Sequence, residues 1–476
     1  MKPVISLEAS SVLVEPHCIV RPETVRHTEE IDGFMRAWEV YIPDSYDKNR
    51  PMALVINVHG AGGFNPARVP WSLIAQREGF LVVYPEAVKP WLWNIWNLKT
   101  KDGAPDDVHF LDHMITRLQE DYAVDPSRIY MQGNSMGDNM VSTYAFSHGQ
   151  RLAAIAPTSG PTLPSVLCEE DGSYRVFPQS GLAVARLHGD EDTTCGLPST
   201  YGFSKAEFSE HITPGEQREL RGIMDQIQKD LWNAVNLADP VPQLYFDDYM
   251  NLEIYQGKNG VLQFYSIVKG VHSPDLDFYE ILWNQWFAGW QRLDGELVYV
   301  GTKEAATPDC KAVALAAEAD HIYQGGRVTA IKPFLHCREI DGTFYVPLKL
   351  LPHLVRGMRL ECRDNEGTAS LSYKGTAILV AEGQQCMLVD GRVVSLPGGV
   401  RRDGELLVPV VRFMQAVCGF WTAQRDSVVY ITDHPVNLTG DGASTIQIML
   451  GVRQKPFGNV AFENRLKRRI LEARKL

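Results

Sequence analysis

Short, nearly continuous apolar runs recur between Trp38 and Trp290, each parted from the next by a stretch of helical periodicity. Ala53–Val58, Phe80–Tyr84, Arg128–Met131, Leu182–Leu187 and Val261–Val268 read as strands covered on both faces, because runs this short and rich in Val, Ile and Leu suit a buried parallel sheet. Between the second and third, Val108, Leu111, Ile115 and Leu118 repeat at helical spacing behind an acidic first turn. Asp106–Tyr122 is therefore expected as a crossover helix whose leading carboxylates complement the helix dipole. The alternation as a whole predicts an α/β fold, a sheet flanked by helices and built largely from βαβ units.

After Arg292 the texture changes to Val, Leu, Gly and turn pairs. Asp341-Gly342-Thr343-Phe344-Tyr345-Val346-Pro347-Leu348 is echoed 62 residues later by Asp403-Gly404-Glu405-Leu406-Leu407-Val408-Pro409-Val410. Each copy leads into a short amphipathic helix, and Gly325-Gly326 and Asp390-Gly391 upstream read as hairpin turns. This is a duplicated hairpin-plus-helix unit, so a β-rich (α+β) C-terminal domain built of two repeats is expected. The reading divides the chain into an extension or edge strands over 1–37 and an α/β domain over 38–295, with an insertion at 196–260 as lid or substrate wall. A linker over 296–306, the repeat domain over 307–433 and a basic tail over 434–476 follow. The two halves share no motif, so the first is expected to fold alone when the chain is cut near Arg292.

The chain has 476 residues, 45% hydrophobic and 22% charged, enough apolar material for a large core and too much for disorder. A net charge of −12 argues against nucleic acid as a partner. Residues 453–476 nevertheless carry eight Lys or Arg and two Glu, which suits a terminal helix resting on its own acidic chain, with an anionic surface as the alternative. No apolar run is long enough to span a membrane, and Glu8 interrupts any leader-like segment at the start. The eight cysteines are dispersed, with no C-x-x-C pair and no zinc spacing. A cytoplasmic chain with reduced thiols is expected, or a secreted one if a leader has been removed; no cofactor and no metal is expected.

The chemistry centres on Gly133-Asn134-Ser135-Met136-Gly137, between a strand and the helical stretch Asn139–Phe146. A strand-to-helix turn this tight forces the serine into a strained conformation with its hydroxyl exposed. A serine hydroxyl needs a histidine base, itself oriented by a carboxylate, and in this fold those partners follow downstream in the order acid, then histidine. The Leu182–Leu187 strand runs into His188-Gly189-Asp190-Glu191-Asp192, where Asp192 leads and Asp190 and Glu191 stay open as the acid. His272 follows the Val261–Val268 strand and is preferred to His211, which has no strand before it. Donors for an oxyanion are expected from the backbone N–H of Met136 and from that of Ala61, in His59-Gly60-Ala61-Gly62-Gly63. Trp93 and Trp96, with Asn134, are candidate substrate contacts, and Trp91 extends the same aromatic run.

These motifs, together with Tyr41-Ile42-Pro43, the run Gly79–Pro85, Trp93-Asn94, Asp106-Asp107-Val108 and Asp125–Tyr130, resemble the polyhydroxybutyrate depolymerase and feruloyl esterase family of α/β-hydrolases over residues 38 to 292. The resemblance implies Ser135 as nucleophile, Asp192 as acid and His272 as base. Asp138 departs from it, standing where the family usually has a second glycine after the elbow. The repeats over 307–433 resemble the copper amine oxidase N-terminal-like domain appended to other bacterial proteins, which does not imply copper, since His321, His336 and His353 are scattered.

The resulting expectation is a serine carboxylic-ester hydrolase acting on feruloyl or other aryl esters. A polyhydroxyalkanoate depolymerase or acetyl esterase is the alternative. Its partner is an ester substrate, linked to plant polysaccharide or part of a polyester, and oligomers would form through the C-terminal domain. From another class, the chain is a surface or polymer-binding protein with a vestigial hydrolase domain.

Overall fold

A computed structural model describes residues 23–63, 70–97, 103–194, 203–272, 276–301, 309–363, 367–396, 399–454 and 460–475. Most of the expected N-terminal extension, the end of the linker at 302–306 and the start of the insertion at 196–202 lie outside these residues. The main element is a ten-stranded sheet of β1 (Val25–Ile31), β2 (Phe34–Tyr41), β3 (Met52–Val58), β4 (Leu81–Glu86), β5 (Val124–Asn134), β6 (Ala154–Thr158), β7 (Ala183–Gly189), β8 (Gln243–Phe246), β9 (Met250–Gln256) and β10 (Val261–Ile267). Its order is β1-β2-β4-β3-β5-β6-β7-β10-β9-β8, with a parallel centre from β4 to β10 and an antiparallel hairpin at either end. This is an α/β-hydrolase sheet.

Every residue of β3, β7 and β10 is buried, as expected of strands covered on both faces. Alternate side chains divide between two cores: Leu54, Ile56 and Val58 face one, Ala53 and Val55 the other. The first core holds α2 (Asp107–Asp121) and α3 (Met136–His148); the second holds α1 (Trp71–Glu78) and the aromatic segment Phe278–Trp290. Helix α2 starts where the acidic turn predicts, with the Asp106 carboxylate accepting from the His109 amide at 3.0 Å.

Pro214–Asn236 is one long helix packed along the sheet, and the aromatic run Tyr245–Tyr249 belongs to the β8–β9 hairpin that extends the sheet. Among the described residues, three further sheets lie between Val313 and Thr432. The duplicated segments pair with each other, Thr343–Pro347 antiparallel to Glu405–Pro409 with Val346 opposite Val408, so the repeat is a local two-fold arrangement. Asp341-Gly342 and Asp403-Gly404 both have positive φ, the conformation a two-residue hairpin turn needs.

The expected independence of the first half does not match the packing. Leu244 and Phe246 of the edge strand β8 share a core with Ala314, Tyr323, Tyr430, Val436, Leu438 and Ile446. The Leu244 N–H donates to the Tyr323 hydroxyl at 2.9 Å and its carbonyl accepts from the Asp309 amide at 3.1 Å, so later chain covers the sheet edge. Beyond that, the helix Val460–Ala473 buries Phe462, Leu466 and Ile470 in the first hydrolase core. Buried Glu463 accepts from the backbone and hydroxyl of Ser165 at 2.8 and 2.7 Å. Arg469 and Arg474 pair with Glu216 and Glu207 of the insertion, which is where basic charge of the tail is placed.

A chain ending at Arg292 should therefore fail to give soluble folded protein, as read by gel filtration and far-UV circular dichroism. In the full chain, Leu466→Ala should lower unfolding free energy by about 2–5 kcal/mol in urea titration, the cost of truncating a fully buried leucine; a loss below about 0.5 kcal/mol would mean the terminal helix is not docked.

Candidate active site

Ser135 stands between β5 and α3 at φ 61°, ψ −121°, a conformation a side-chain-bearing residue adopts only when its surroundings impose it. Those surroundings are two close backbone approaches. A Cβ on Gly137 would lie 2.2 Å from the Val58 carbonyl oxygen, and one on Gly160 only 1.8 Å from that of Ser135. The Ser135 amide donates to the Thr158 carbonyl at 2.8 Å, tying the turn to the end of β6.

The Ser135 hydroxyl lies 2.9 Å from His272 Nε2, and His272 Nδ1 lies 2.9 Å from Asp192 Oδ2. His272 is partly exposed while the Asp192 carboxylate is buried. Asp192 Oδ1 accepts from the Thr194 amide at 2.8 Å, and Oδ2 also accepts from Arg221 Nη1 at 2.6 Å. Burial works against the carboxylate's charge, but the His272 hydrogen bond, the Arg221 charge and the Thr194 amide outweigh it and hold the group below the ordinary range. The neighbouring carboxylates are engaged elsewhere: Asp190 accepts from Arg425 and from the Gly440 amide, both at 2.7 Å, while Glu191 is exposed. His211 ends the short helix Lys205–His211, where its carbonyl accepts from Arg469.

The glycine-rich loop lies against Ser135: a Cβ on Gly60 would be 3.4 Å from Ser135 Cβ and 4.0 Å from its Oγ. Two groups brace this loop. His59 Nδ1 is 2.6 Å from the Gly60 carbonyl and Nε2 accepts from the Ala87 amide at 3.1 Å, a pattern that requires neutral imidazole with its proton on Nδ1. Burial also pushes the His59 pKa down. Trp93 donates to the His59 carbonyl at 2.8 Å. The Gly62 amide turns to the Trp91 carbonyl at 3.3 Å, and Ala61 is exposed beside it. Met136 is the first residue of α3, where a backbone N–H lacks an acceptor within its own helix.

The tryptophans expected to touch substrate are placed differently from one another. Trp93 is fully buried, so it braces the loop and offers no face to a bound molecule. Trp96, partly exposed, packs edge-on against Phe146 and donates to Thr162 Oγ1 at 3.1 Å. Trp91 instead flanks the glycine loop, its ring 3.7 Å from a Cβ position on Gly63. Asn134 is partly buried, with Oδ1 out of solvent and without a protein partner. Asp138 faces inward, accepting from the Gly160 amide at 2.8 Å and from Arg186 at 3.1 Å. Its burial outweighs those partners and raises its pKa.

Arg221 escaped the sequence reading, though a signal was present. Arg221, Asp225 and Lys229 recur every four residues, hence on one helix face, and all three are buried. Charged residues on the apolar side of a helix are there for a partner: Asp192 for the first, Arg186 and His188 for the second, Glu253 for the third.

An α/β-hydrolase sheet with a strained serine, a histidine and a buried aspartate in hydrogen-bond sequence is the arrangement that these residues define. No family model matches the chain. A bifunctional acetylxylan esterase/xylanase from Neocallimastix patriciarum is 27% identical over 188 residues, 38% of this chain and 25% of that protein. A probable feruloyl esterase C from Aspergillus niger is 27% identical over 198 residues, 40% of this chain and 66% of its own length. This chain thus spans between a quarter and about two thirds of these curated relatives. Among solved structures, an acetyl xylan esterase from Aspergillus awamori aligns at 16% identity and TM-score 0.38 over 56% of this chain and 99% of that one. The poly(3-hydroxybutyrate) depolymerase LpqC from Bordetella parapertussis aligns at 15% and 0.38 over 57% and 92%.

Behind the acid loop, His188 Nδ1 lies 3.0 Å from Asp225 and 2.8 Å from Asp441, a residue of the helix Gly440–Met449. Burial and the Arg221 charge oppose its protonation, yet Asp441 and Asp225 prevail and push the pKa up to about 9. A raised pKa in the folded state favours folding fully below the unfolded value of about 6.5, and the benefit is lost as pH climbs through about 9. The urea midpoint should fall between pH 6.5 and 9.5, and the fall should shrink in His188→Asn, which has no titrating ring; equal slopes in the two proteins would refute the assignment.

Proposed function

We propose that the protein is a serine carboxylic-ester hydrolase, and the observation that carries this is the hydrogen-bonded run Ser135–His272–Asp192 on a strained elbow. His272 Nε2 takes the hydroxyl proton as Ser135 attacks the ester carbonyl, and Asp192 holds the ring with Nδ1 protonated and stabilises the imidazolium that forms. The backbone N–H groups of Met136 and Ala61 receive the oxyanion. The imidazolium then gives its proton to the departing alcohol, leaving an acyl group on Ser135. Water, deprotonated by the same histidine, attacks that acyl-enzyme and releases the acid.

Substrate class rests on the names of the relatives and on one aromatic side chain beside the glycine loop. Feruloyl and acetyl esters of plant polysaccharide lead, since the curated relatives bear those activities in their names, with short polyhydroxyalkanoates next. Trp91 beside the glycine loop gives an aromatic acyl group a surface to lie on. The triad contacts stand against a vestigial hydrolase serving only as a polymer-binding surface. In this reading the β-rich region, with its resemblance to the copper amine oxidase N-terminal-like domain, supports the hydrolase sheet and carries no chemistry of its own.

Ser135→Ala and His272→Ala should each reduce turnover of a p-nitrophenyl ester by at least about 10³-fold while melting like the wild type, because the triad acts as a unit. Asp192→Asn should lose about 10²–10⁴-fold in kcat through the wrong histidine tautomer. A panel of feruloyl, acetyl and 3-hydroxybutyryl esters ranks the substrates. Wild-type kcat in folded Ser135→Ala would refute the mechanism, and kcat/KM for methyl ferulate below that for every acetyl ester would move the specificity to acetyl.

A further inference from the structure

The loop that carries Asp192 is gripped from two sides by residues remote from the serine. On one side Arg221 donates to Asp192 Oδ2 at 2.6 Å and to the Thr194 carbonyl at 2.8 Å, so it holds both the carboxylate and the backbone after it. Arg221 Nε lies 3.8 Å from Asp225, which meets His188, and His188 meets Asp441. On the other side Arg425 and the Gly440 amide hold Asp190, two residues before the acid. Gly440 and Asp441 open the helix Gly440–Met449, and Arg425 lies on the strand Trp421–Arg425, so this grip comes from the chain's C-terminal third.

The grip is built closely. A Cβ on Gly442 would fall 2.4 Å from Asn251 Oδ1, and that oxygen accepts from both the amide and the hydroxyl of Thr439, which seats the helix start on β9. Ser266 of β10 donates to Asp441 at 3.2 Å. Arg221, Asp225 and His188 are buried, where an ion pair deprived of one partner leaves an uncompensated charge. Arg221 Nε and Nη2 and both His188 ring nitrogens lack well-directed hydrogen bonds, so much of this network is held by charge rather than by bond direction. Loss of one carboxylate therefore leaves its neighbours free to turn.

We propose that Arg221 is a positioning residue for Asp192, that Asp225, His188 and Asp441 hold Arg221 in turn, and that Arg425 and the Gly440 amide steady the same loop through Asp190, making the chain from the strand Trp421–Arg425 to Asp441 a working part of the acid–base arm. The proposal rests on Ser135, His272 and Asp192 being the reacting groups. Its physical content is orientation: Asp192 Oδ2 serves His272 and Arg221 together, and a carboxylate that swings away from Nδ1 no longer selects the tautomer that leaves Nε2 free to accept the serine proton.

The test uses the full chain with p-nitrophenyl acetate turnover, the rate at which a fluorophosphonate labels Ser135, and thermal melting. Arg221→Gln should lower kcat and the labelling rate by about 30- to 100-fold with KM within about threefold, the scale of a misplaced catalytic group. Arg221→Lys, which keeps the charge, should recover at least about fivefold of that loss. Asp441→Asn and Arg425→Gln should each lower kcat by about five- to tenfold, while Arg338→Gln, which breaks a pair inside the β-rich region, should leave it unchanged. If Asp441→Asn does not fold, Arg425→Gln decides the distal arm, since its side chain is a third exposed. Folded Arg221→Gln with kcat within twofold of wild type, or Arg221→Lys no better than the glutamine, overturns the positioning role; unchanged kcat in Arg425→Gln overturns the part of the C-terminal segment. A wild type that neither turns over ester nor is labelled at Ser135 removes the hydrolase reading itself, whereas normal labelling with an intact Arg221→Gln removes only the positioning.

Discussion

A buried carboxylate at Asp192 is the constraint around which much of this protein is arranged. Taking an isolated charge of this kind out of water costs on the order of several kcal/mol, and the cost is met only by charges and donors brought to it. His272 supplies one and the Thr194 amide another, but the full positive charge comes from Arg221, itself buried. Burying Arg221 then calls for Asp225, which also faces Arg186 and His188, and these reach Asp138 beneath the elbow and Asp441 beyond the β-rich sheets. One ionised side chain beside the histidine thus draws a chain of alternating charges through the core.

The serine answers to a different constraint, the volume of its backbone surroundings. Its positive φ is tolerable because Gly137 and Gly160 let three segments meet at distances that a methyl group would forbid. The loop opposite is stiffened by neutral His59, fixed in one tautomer by the Gly60 carbonyl and the Ala87 amide, with Trp93 bonded to its own carbonyl. Strain at Ser135 and the bracing of the glycine loop are two aspects of one packing arrangement.

The C-terminal third is more than an appendage. It closes the β8 edge of the sheet, where unpaired backbone groups would otherwise invite another strand. Its helix Gly440–Met449 contributes Asp441 and an amide to the acid loop, and the terminal helix fills a groove of the first core with Phe462, Leu466 and Ile470. The duplicated hairpins pair across Val346 and Val408, which gives this region a core of its own beside the shared one.

The strands, the crossover helix, the repeat and the order of serine, acid and histidine were legible in the residues, because each is a local pattern: an apolar run, a 3.6-residue period, a turn pair or a short motif at the end of a strand. Even β6 (Ala154–Thr158) escaped that reading, since Ala-Ile-Ala-Pro-Thr is too short and carries a proline, and only its place between β5 and β7 makes it a strand. Which carboxylate meets His272 was left among three neighbours in sequence, and the fold decided it by giving Asp190 to Arg425, turning Glu191 to solvent and enclosing Asp192 with Arg221. The tryptophans show the same limit in reverse: Trp91, Trp93 and Trp96 are alike in sequence, yet one flanks the glycine loop, one is buried and bonded to it, and one packs on Phe146. Composition and periodicity report whether a side chain is buried and in what kind of element. They do not report which distant segment lies against it, and the pairing of Asp441 with His188 across 253 residues was therefore decided by tertiary packing alone.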